Sequence, residues 1–483
     1  MSSETTPLVE SKKQAFRLME WLSDQPEFVR PEILATQITG LLALSLQPRQ
    51  KLHLLEALFA KLNGGAGLDA SIAQFVGVRT PLSNSVYQRI QMFLNLIDDF
   101  AQGFEEVLPA LPADASNPET GLCLERILFF LYKHQCISYL VKRPIGMGIW
   151  QRLHNAGLKS HQLRLRAPLV HYARALLLAC AQPAAMTSRE LAVAVYYLQR
   201  REFEELPLSE MPQGNPEAVF WIPMQQDLRP FALVRRTPPD DAQVLYFSCL
   251  TFVALVEADL AALESKSSSI ALPLPLRASR HLLQRLGTCW GHPRLRRFPR
   301  HRTSYRGHQC AGLDTVQDVL KRASLQSESK AARWMVTDES VNGYGLMFLR
   351  GASKEISIGN VVALQLDHWN PGTPPLVGLI RWMVSETPEN LEIGMQILSP
   401  NAIPATLTHP DEPETTFPAL LLPQVPKRDK AALIVPAETF SEGAADLLLC
   451  TDDATPRRIR LEELYEQSHH VDIFTFSEYA ASA

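Results

Sequence analysis

Two short polar motifs hold the residue types in this chain that could do chemistry. The first is an arginine pair, Arg296 and Arg300, with a further arginine at Arg297. Guanidinium groups are planar, permanently charged and rich in N–H donors, which suits them to anions and to flat rings. The stretch 277–306 around them holds nine arginines and no acidic residue. Because the whole chain has a net charge of −4, any anion site must be local to such a stretch.

The second motif is a polar turn that follows a strand-like run. Residues 333–337 form an alternating run, and Asp338, Ser340 and Gly343 come directly after it. Aspartate and serine side chains can hydrogen-bond either the neighbouring backbone or a ligand. Glycine permits a positive φ angle or the close approach of a ligand. By itself, this spacing is typical of an ordinary turn.

The two motifs in this order resemble the PilZ domain, a small β-barrel that binds the bacterial second messenger cyclic di-GMP. An R-x-x-x-R motif, in the form R-x-F-P-R, precedes a D-x-S-x-x-G motif. The likeness covers residues 280–405. Beyond the two motifs, it includes Arg381 and Trp382. The later run 391–398 looks like the last strand of the family's barrel.

The resemblance implies a role for each motif residue. The arginines would meet a guanine edge, pair with a phosphate or stack on a base. The aspartate would accept hydrogen bonds from the guanine N–H edge, the serine would donate or accept one, and the glycine would keep the turn close to the ligand. The implied ligand-binding residues are Arg296, Arg297, Arg300, Asp338, Ser340 and Gly343.

A second arginine pair competes for the same role. Arg302 and Arg306 repeat the R-x-x-x-R spacing, but the first pair is favoured because only it has the R-x-F-P-R form. The motifs are also 338 − 300 = 38 positions apart, and a helix-like insert at 314–321 lies between them. This insert is longer than the family resemblance leads us to expect.

Composition limits the class of protein. At 483 residues, with 46% hydrophobic and 20% charged side chains, the chain is expected to form two or three globular domains. Seven scattered cysteines without C-x-x-C spacing argue against a disulfide framework or a zinc site and favour a reducing cytoplasm. The N-terminus lacks the pattern of a secretory signal, and no apolar stretch approaches the roughly 20 residues of a membrane span.

The periodicity predicts an α+β multidomain protein. Residues 1–265 have mostly helical spacing and predict an all-α domain, a bundle or a helical-hairpin array, interrupted at 206–234 by a proline-rich loop with a short strand pair. A linker is predicted at 266–279. Short alternating runs then predict a PilZ-like β-barrel at 280–405 and a β-rich C-terminal extension at 406–483.

Three classes of function follow from these observations. The leading one is a cytoplasmic cyclic di-GMP receptor without catalytic residues, cofactor or metal, whose helical domain passes the signal to an unidentified protein partner. The alternative is an interaction or scaffold protein whose PilZ-like domain no longer binds the nucleotide. Nucleic-acid binding through 277–306 is disfavoured by the overall acidity of the chain and by the absence of lysine from this stretch.

Overall fold

The computed structural model describes residues 5–65, 67–201, 206–265, 271–322, 331–351, 356–370, 372–410, 412–425, 428–444, 446–452 and 454–479. Its internal contacts divide the chain into two units. The first comprises Met1–Val78 and Ser83–Leu295, and the second comprises Arg79–Leu82 and Arg296–Ala483.

The division between the units falls later than the linker predicted at 266–279. Residues 266–270 of that linker lie outside the described residues. The helix Leu276–Gly291 follows them, buries three leucines on one face and packs against the helix Leu250–Glu264. Because this apolar face is covered by a helix of the first unit, the stretch is part of that unit and not a connector.

The first unit is mainly helical. One of its longer helices begins after Ser83, whose side chain accepts a hydrogen bond from Val86 N, and buries a continuous apolar stripe. No helix in the described part of the chain is long and apolar enough to cross a membrane. The helices of this unit are α1 (Thr5–Asp24), α2 (Pro31–Leu42), α3 (Pro48–Asn63), α4 (Gly67–Ala73), α5 (Asn84–Val107), α6 (Pro118–Leu140), α7 (Ile149–Gln162), α8 (Arg166–Cys180), α9 (Ser188–Arg200), α10 (Leu250–Glu264) and α11 (Leu276–Gly291).

A small antiparallel sheet is inserted between α9 and α10. Its strands are β1 (Val219–Pro223), β2 (Phe231–Ala232) and β3 (Val244–Ser248), in the order β2-β1-β3. The proline-rich break at 206–234 predicts the first two strands, and the third adds to them. The helical domain is therefore not purely α-helical, while the α+β multidomain class predicted from the sequence is confirmed.

The second unit contains two closed six-stranded barrels. The first has the strand order β4-β5-β6-β9-β8-β7, and α12 (Leu313–Arg322) is inserted between its first two strands, where the sequence predicts a helix. All six strands contribute apolar side chains to its interior, among them Trp334, Val336, Leu346 and Ile393. The strands are β4 (His301–Ala311), β5 (Ala332–Ser340), β6 (Gly343–Gly351), β7 (Val361–Leu366), β8 (Leu376–Ser385) and β9 (Leu391–Ser399).

The C-terminal extension forms the second barrel, in the order β10-β11-β12-β15-β14-β13. The sequence indicates only three of these strands, because β10 and β11 lie in the proline-rich segment 404–426 and β14 is rich in charge. The strands are β10 (Ile403–His409), β11 (Glu412–Leu422), β12 (Ala432–Pro436), β13 (Leu447–Thr451), β14 (Ala454–Gln467) and β15 (Val471–Glu478).

The two barrels share one strand order. Numbered from its own first strand, each barrel runs 1-2-3-6-5-4 around the closed sheet. They also share an apolar cluster, in which Val316 and Val319 of α12 and Leu379 of β8 pack with Leu420 of β11 and Ile434 of β12. This cluster is separate from the two barrel interiors, so it fixes one barrel against the other.

Candidate functional site

The arginine motif leads directly into the first strand of the first barrel. Arg296 and Arg297 are exposed, and neither forms an ion pair with a described residue. Arg300 is half-buried, and its Nη1 lies 2.8 Å from Asp338 Oδ1 and 3.0 Å from Asp338 Oδ2. The two motifs, 38 positions apart in the sequence, are therefore joined by a direct contact between a guanidinium and a carboxylate.

A β-bulge decides which way Asp338 points. In the β5–β6 register Val336 pairs with Leu346, whereas Asp338 pairs with Gly345, so that Thr337 is an extra residue. Val336 and Leu346 face the barrel interior. Because side chains alternate along a strand, the extra residue turns Asp338 to the outer face instead of the core.

The residue after Asp338 points back into the mouth of the barrel. Tyr305 Oη donates a hydrogen bond to the carboxylate of Glu339, and Tyr305 packs against the interior cluster together with Tyr344. Burial from water, reinforced by the hydrogen bond with Glu339, raises the pKa of Tyr305 above its ordinary value. The Tyr305–Glu339 contact thus holds the end of β5 in the register that turns Asp338 to the outer face.

The turn itself has only two residues between its strands. Ser340 and Gly343 are register partners, and Ser340 Oγ donates to Gly343 O at 3.3 Å. The sequence suggests that Gly343 permits a positive φ or a ligand approach, but its φ angle is not positive. A Cβ at Gly343 would instead overlap the carbonyl oxygen of Met395 on β9, so the glycine is required by strand packing.

Two glycines beside Asp338 create a flat area on the outer face. Gly345 on β6 pairs with Gly394 on β9, and Gly394 pairs with Trp382 on β8. A Cβ at Gly394 would overlap the indole of Trp382, and a Cβ at Gly345 would lie 2.7 Å from Asp338 Oδ2. The indole therefore lies flat over Gly394 and the carboxylate lies over Gly345. Neighbouring strands place these two groups one strand spacing, ~5 Å, apart.

A second bulge turns Trp382 outward. Ile380 pairs with Met395 and Trp382 pairs with Gly394, so Arg381 is the extra residue. Ile380 and Met395 belong to the barrel interior. As at Thr337, the extra residue places the following side chain on the outer face.

The outer face can be described as one row of register partners, which we call the outer row: Arg302, Asp338, Gly345, Gly394 and Trp382. It offers positive charge, a carboxylate acceptor and the flat face of a half-buried indole. Such a set suits a ligand that combines negative charge, a planar ring and an edge of N–H donors.

The structure brings together some of the residues that the sequence predicts. Arg300, Asp338, Ser340 and Gly343 lie at the same end of the first barrel, while Arg296 and Arg297 extend from it into solvent. In the competing pair, Arg302 is the register partner of Asp338. Arg306 pairs with Met335, three positions along β5 from Asp338, or about 10 Å.

Sequence reasoning did not assign Trp382, Gly345 or Gly394 to the site. A glycine inside a strand often marks a close approach, and both glycines carry that signal. Trp382 belongs to the family resemblance, but its outward direction depends on a bulge that alternation does not reveal. Within the described ranges, no group of three or more histidine, cysteine or acidic side chains is placed to hold a metal ion.

Fold and site together define a helical protein that carries two small β-barrels, the first with a guanidinium, a carboxylate and an indole on its outer face. Residues 18–202 match a family model described as "Cyclic-di-GMP receptor FimW, N-terminal domain". The part of the first unit that runs from within α1 to the end of α9 is thus similar to the N-terminal domain of a cyclic di-GMP receptor family, and the match ends before the small sheet, α10, α11 and both barrels. No curated protein matches the chain.

Proposed function

We propose that the protein is a cytoplasmic cyclic di-GMP receptor and that the first barrel is a PilZ-like domain that binds the nucleotide. Two separate parts of the chain support this function. Residues 18–202 of the helical unit match a receptor family for this ligand, and the first barrel with the segment before it carries the PilZ motif residues. The observation that carries the proposal is the Arg300–Asp338 contact, which joins the two motifs at the edge of the outer row.

The outer row suggests how the ligand is held. A guanine base stacks on the indole of Trp382 and turns its N1–H and N2–H edge toward the carboxylate of Asp338. Arg300, with Arg296 and Arg297 from the exposed segment, pairs with the phosphates or with the O6 and N7 edge of guanine. Each guanine of cyclic di-GMP has the same recognition groups, so the second base is free to meet the exposed arginines.

Binding requires Arg300 to give up part of its contact with Asp338. In the free protein the hydrogen bond from Arg300 Nη1 goes to Asp338 Oδ2. Oδ1 lies 2.8 Å from the same nitrogen as part of the ion pair, but it accepts no hydrogen bond from a described donor. The N–H edge of a guanine can donate a hydrogen bond to Asp338 Oδ1. Arg300 can then turn away from the carboxylate and toward a phosphate. The exchange replaces one charged contact by two, which favours the bound state.

The helical unit is proposed to carry the output through a protein partner. Arg296 and Arg297 are the first residues after the boundary between the first and the second unit in the sequence. A ligand that binds both arginines therefore also fixes the chain at this boundary. Limited trypsin digestion tests the coupling. Cyclic di-GMP should protect the bonds after Arg296 and Arg297, whereas cleavage after Lys266, which lies outside the described residues, should continue. If saturating ligand left cleavage after Arg296 and Arg297 as fast as cleavage after Lys266, the proposed coupling would be wrong. The proposed receptor function would not be affected by that result.

Calorimetric titration of the full chain with cyclic di-GMP tests the function itself. We expect saturable heat at micromolar ligand and none with GTP, which has one guanine but lacks the cyclic, two-base arrangement. Absence of heat or competition at tens of micromolar cyclic di-GMP would contradict the proposal.

The alternative is a scaffold protein whose first barrel no longer binds the nucleotide. The Arg300–Asp338 contact is also consistent with this alternative, since an ion pair that forms without ligand can be purely structural. A pull-down with the full chain separates the two functions. Partners that stay the same when cyclic di-GMP is added support the scaffold, and partners that change support the receptor.

A further inference from the structure

The extra residue that turns Trp382 outward is held by the second barrel. Arg381 Nε donates to Gln396 Oε1 at 2.6 Å, and its Nη2 donates to Glu466 Oε2 at 2.7 Å. Arg381 Nη1 also contacts Glu466 Oε1, which makes the pair bidentate. Gln396 belongs to β9 of the first barrel, whereas Glu466 belongs to β14 of the second.

The Arg381–Glu466 ion pair is more buried and more tightly oriented than an ordinary surface ion pair. The Glu466 side chain is 19% exposed and the Arg381 side chain is 35% exposed. Bidentate geometry fixes the plane of the guanidinium as well as its position. The shared apolar cluster fixes the second barrel against the first, so Glu466 is presented from a rigid base and not from a loop.

The second barrel does not repeat the arginine motif that precedes the first barrel. The segment 399–402 before its first strand contains no arginine. Between its second and third strands, Arg428 is buried, and it donates hydrogen bonds to the backbone carbonyls of Leu422, Pro423 and Lys430. The strand order is therefore repeated in the second barrel, but the arginine motif before the first strand is not.

We propose that Glu466 is a positioning residue for the nucleotide site of the first barrel, acting through Arg381 on the direction of Trp382. The second barrel is thus a support for the aromatic part of the outer row. This inference rests on the proposed cyclic di-GMP binding at the outer row. Loss of the Glu466 carboxylate frees the Arg381 guanidinium, the bulge relaxes, and the indole no longer lies fixed over Gly394.

The test compares wild-type protein with Glu466→Gln as full chains. Cyclic di-GMP affinity should fall about 3- to 10-fold, which is within the range expected for side chains coupled within one network. Glu462→Gln is the matched control: Glu462 is on the same strand and pairs with Lys430, and this variant should bind like wild type. Arg381→Lys keeps the charge but loses the bidentate contact, so it should give a similar loss if Glu466→Gln folds poorly.

A double-variant comparison separates positioning from a general structural effect. In a Trp382→Ala background, Glu466→Gln should cause no further loss of affinity, because its effect passes through the indole. Without ligand, Glu466→Gln should also change the tryptophan emission of the protein, and this change should vanish in the same background. An equal loss of affinity in both backgrounds would overturn the inference, as would wild-type affinity in Glu466→Gln and Arg381→Lys. Failure of the wild-type protein to bind would instead overturn the proposed function.

Discussion

Arg300 and Asp338 show how much of the candidate site depends on single side chains. The arginine precedes β4 and the aspartate lies near the end of β5, and their contact joins the two motifs. Residue types and order in the sequence predict both members. Their contact could not be predicted in the same way, since it depends on β4 and β5 pairing as neighbours.

Replacement of the motif arginines should weaken ligand binding without unfolding the protein. Arg300→Ala or Arg296→Ala is expected to reduce cyclic di-GMP affinity about 10- to 150-fold, the value of a charge-assisted contact. Calorimetric titration measures the loss, and the melting temperature should change little because both side chains are partly or fully exposed. Arg306→Ala is the matched control. If Arg306→Ala reduced the affinity as much as Arg300→Ala, the arginine assignment would be wrong.

A buried histidine gives the helical unit a pH dependence. Burial lowers the pKa of His154 to about 4 from 6.5. Its Nε2 lies 2.8 Å from Leu228 O, which can only accept, so Nε2 carries the proton and Nδ1 accepts from Tyr172 Oη at 2.9 Å. A lowered pKa means that the unfolded chain binds more protons between pH 6.5 and 4. Stability is therefore complete above pH 6.5 and is lost as pH falls through 4.

Urea unfolding at pH 7 and pH 5 checks this effect. His154 should account for about 2 kcal/mol of the stability lost between these values. His154→Gln should remove that share of the pH dependence, while His161→Gln, at a half-exposed position on the same helix, should retain it. An unchanged pH dependence in His154→Gln would show that the imidazole is not kept neutral by burial.

At the scale of elements, the site is made by irregularities in regular strands. The alternating patterns of β5, β6, β8 and β9 allow the sequence to predict these strands closely. The bulges at Thr337 and Arg381 cannot be predicted in this way. One extra residue moves the side chains that follow it in the strand to the opposite face of the sheet, and the alternating pattern does not show where this happens. This is why Asp338 is recognised through a motif, whereas Trp382 is not assigned.

Gly394→Ala tests whether the indole must lie flat on the barrel. The new Cβ would overlap Trp382, so the side chain must leave its position over β9. Loss of one stacked base should reduce cyclic di-GMP affinity about 5- to 150-fold, the range for base stacking on an aromatic side chain. Gly121→Ala, where a Cβ would lie 4.0 Å from Leu165, is the control and should leave the titration unchanged. Wild-type affinity in Gly394→Ala would exclude Trp382 as the stacking surface.

At the scale of the whole molecule, the second unit is two barrels with one strand order and a common apolar cluster. The sequence indicates β structure after residue 406 but not a closed barrel. Prolines such as Pro404 and Pro418 lie within paired strands, and a proline usually argues against such a strand. The repeated topology is a property of strand pairing, and no repeated residue pattern in the sequence reveals it.

The common cluster should couple the stability of the two barrels. Leu420→Ala removes a fully buried side chain from it and is expected to cost about 2–5 kcal/mol. Hydrogen exchange should then increase in first-barrel peptides as well as second-barrel peptides. Leu449→Ala, in the interior of the second barrel, should affect the first barrel less. Unchanged first-barrel exchange in Leu420→Ala would mean that the barrels are energetically independent.

The most direct measurement is a tryptophan fluorescence titration of wild-type protein and Trp382→Phe with cyclic di-GMP. If a guanine stacks on Trp382 beside Asp338, the wild-type emission changes saturably, at the same ligand concentration that calorimetry gives. Trp382→Phe, which keeps the other tryptophans, should lose this change. An identical emission change in both proteins, or no saturable change in the wild type, would contradict cyclic di-GMP binding on the outer row.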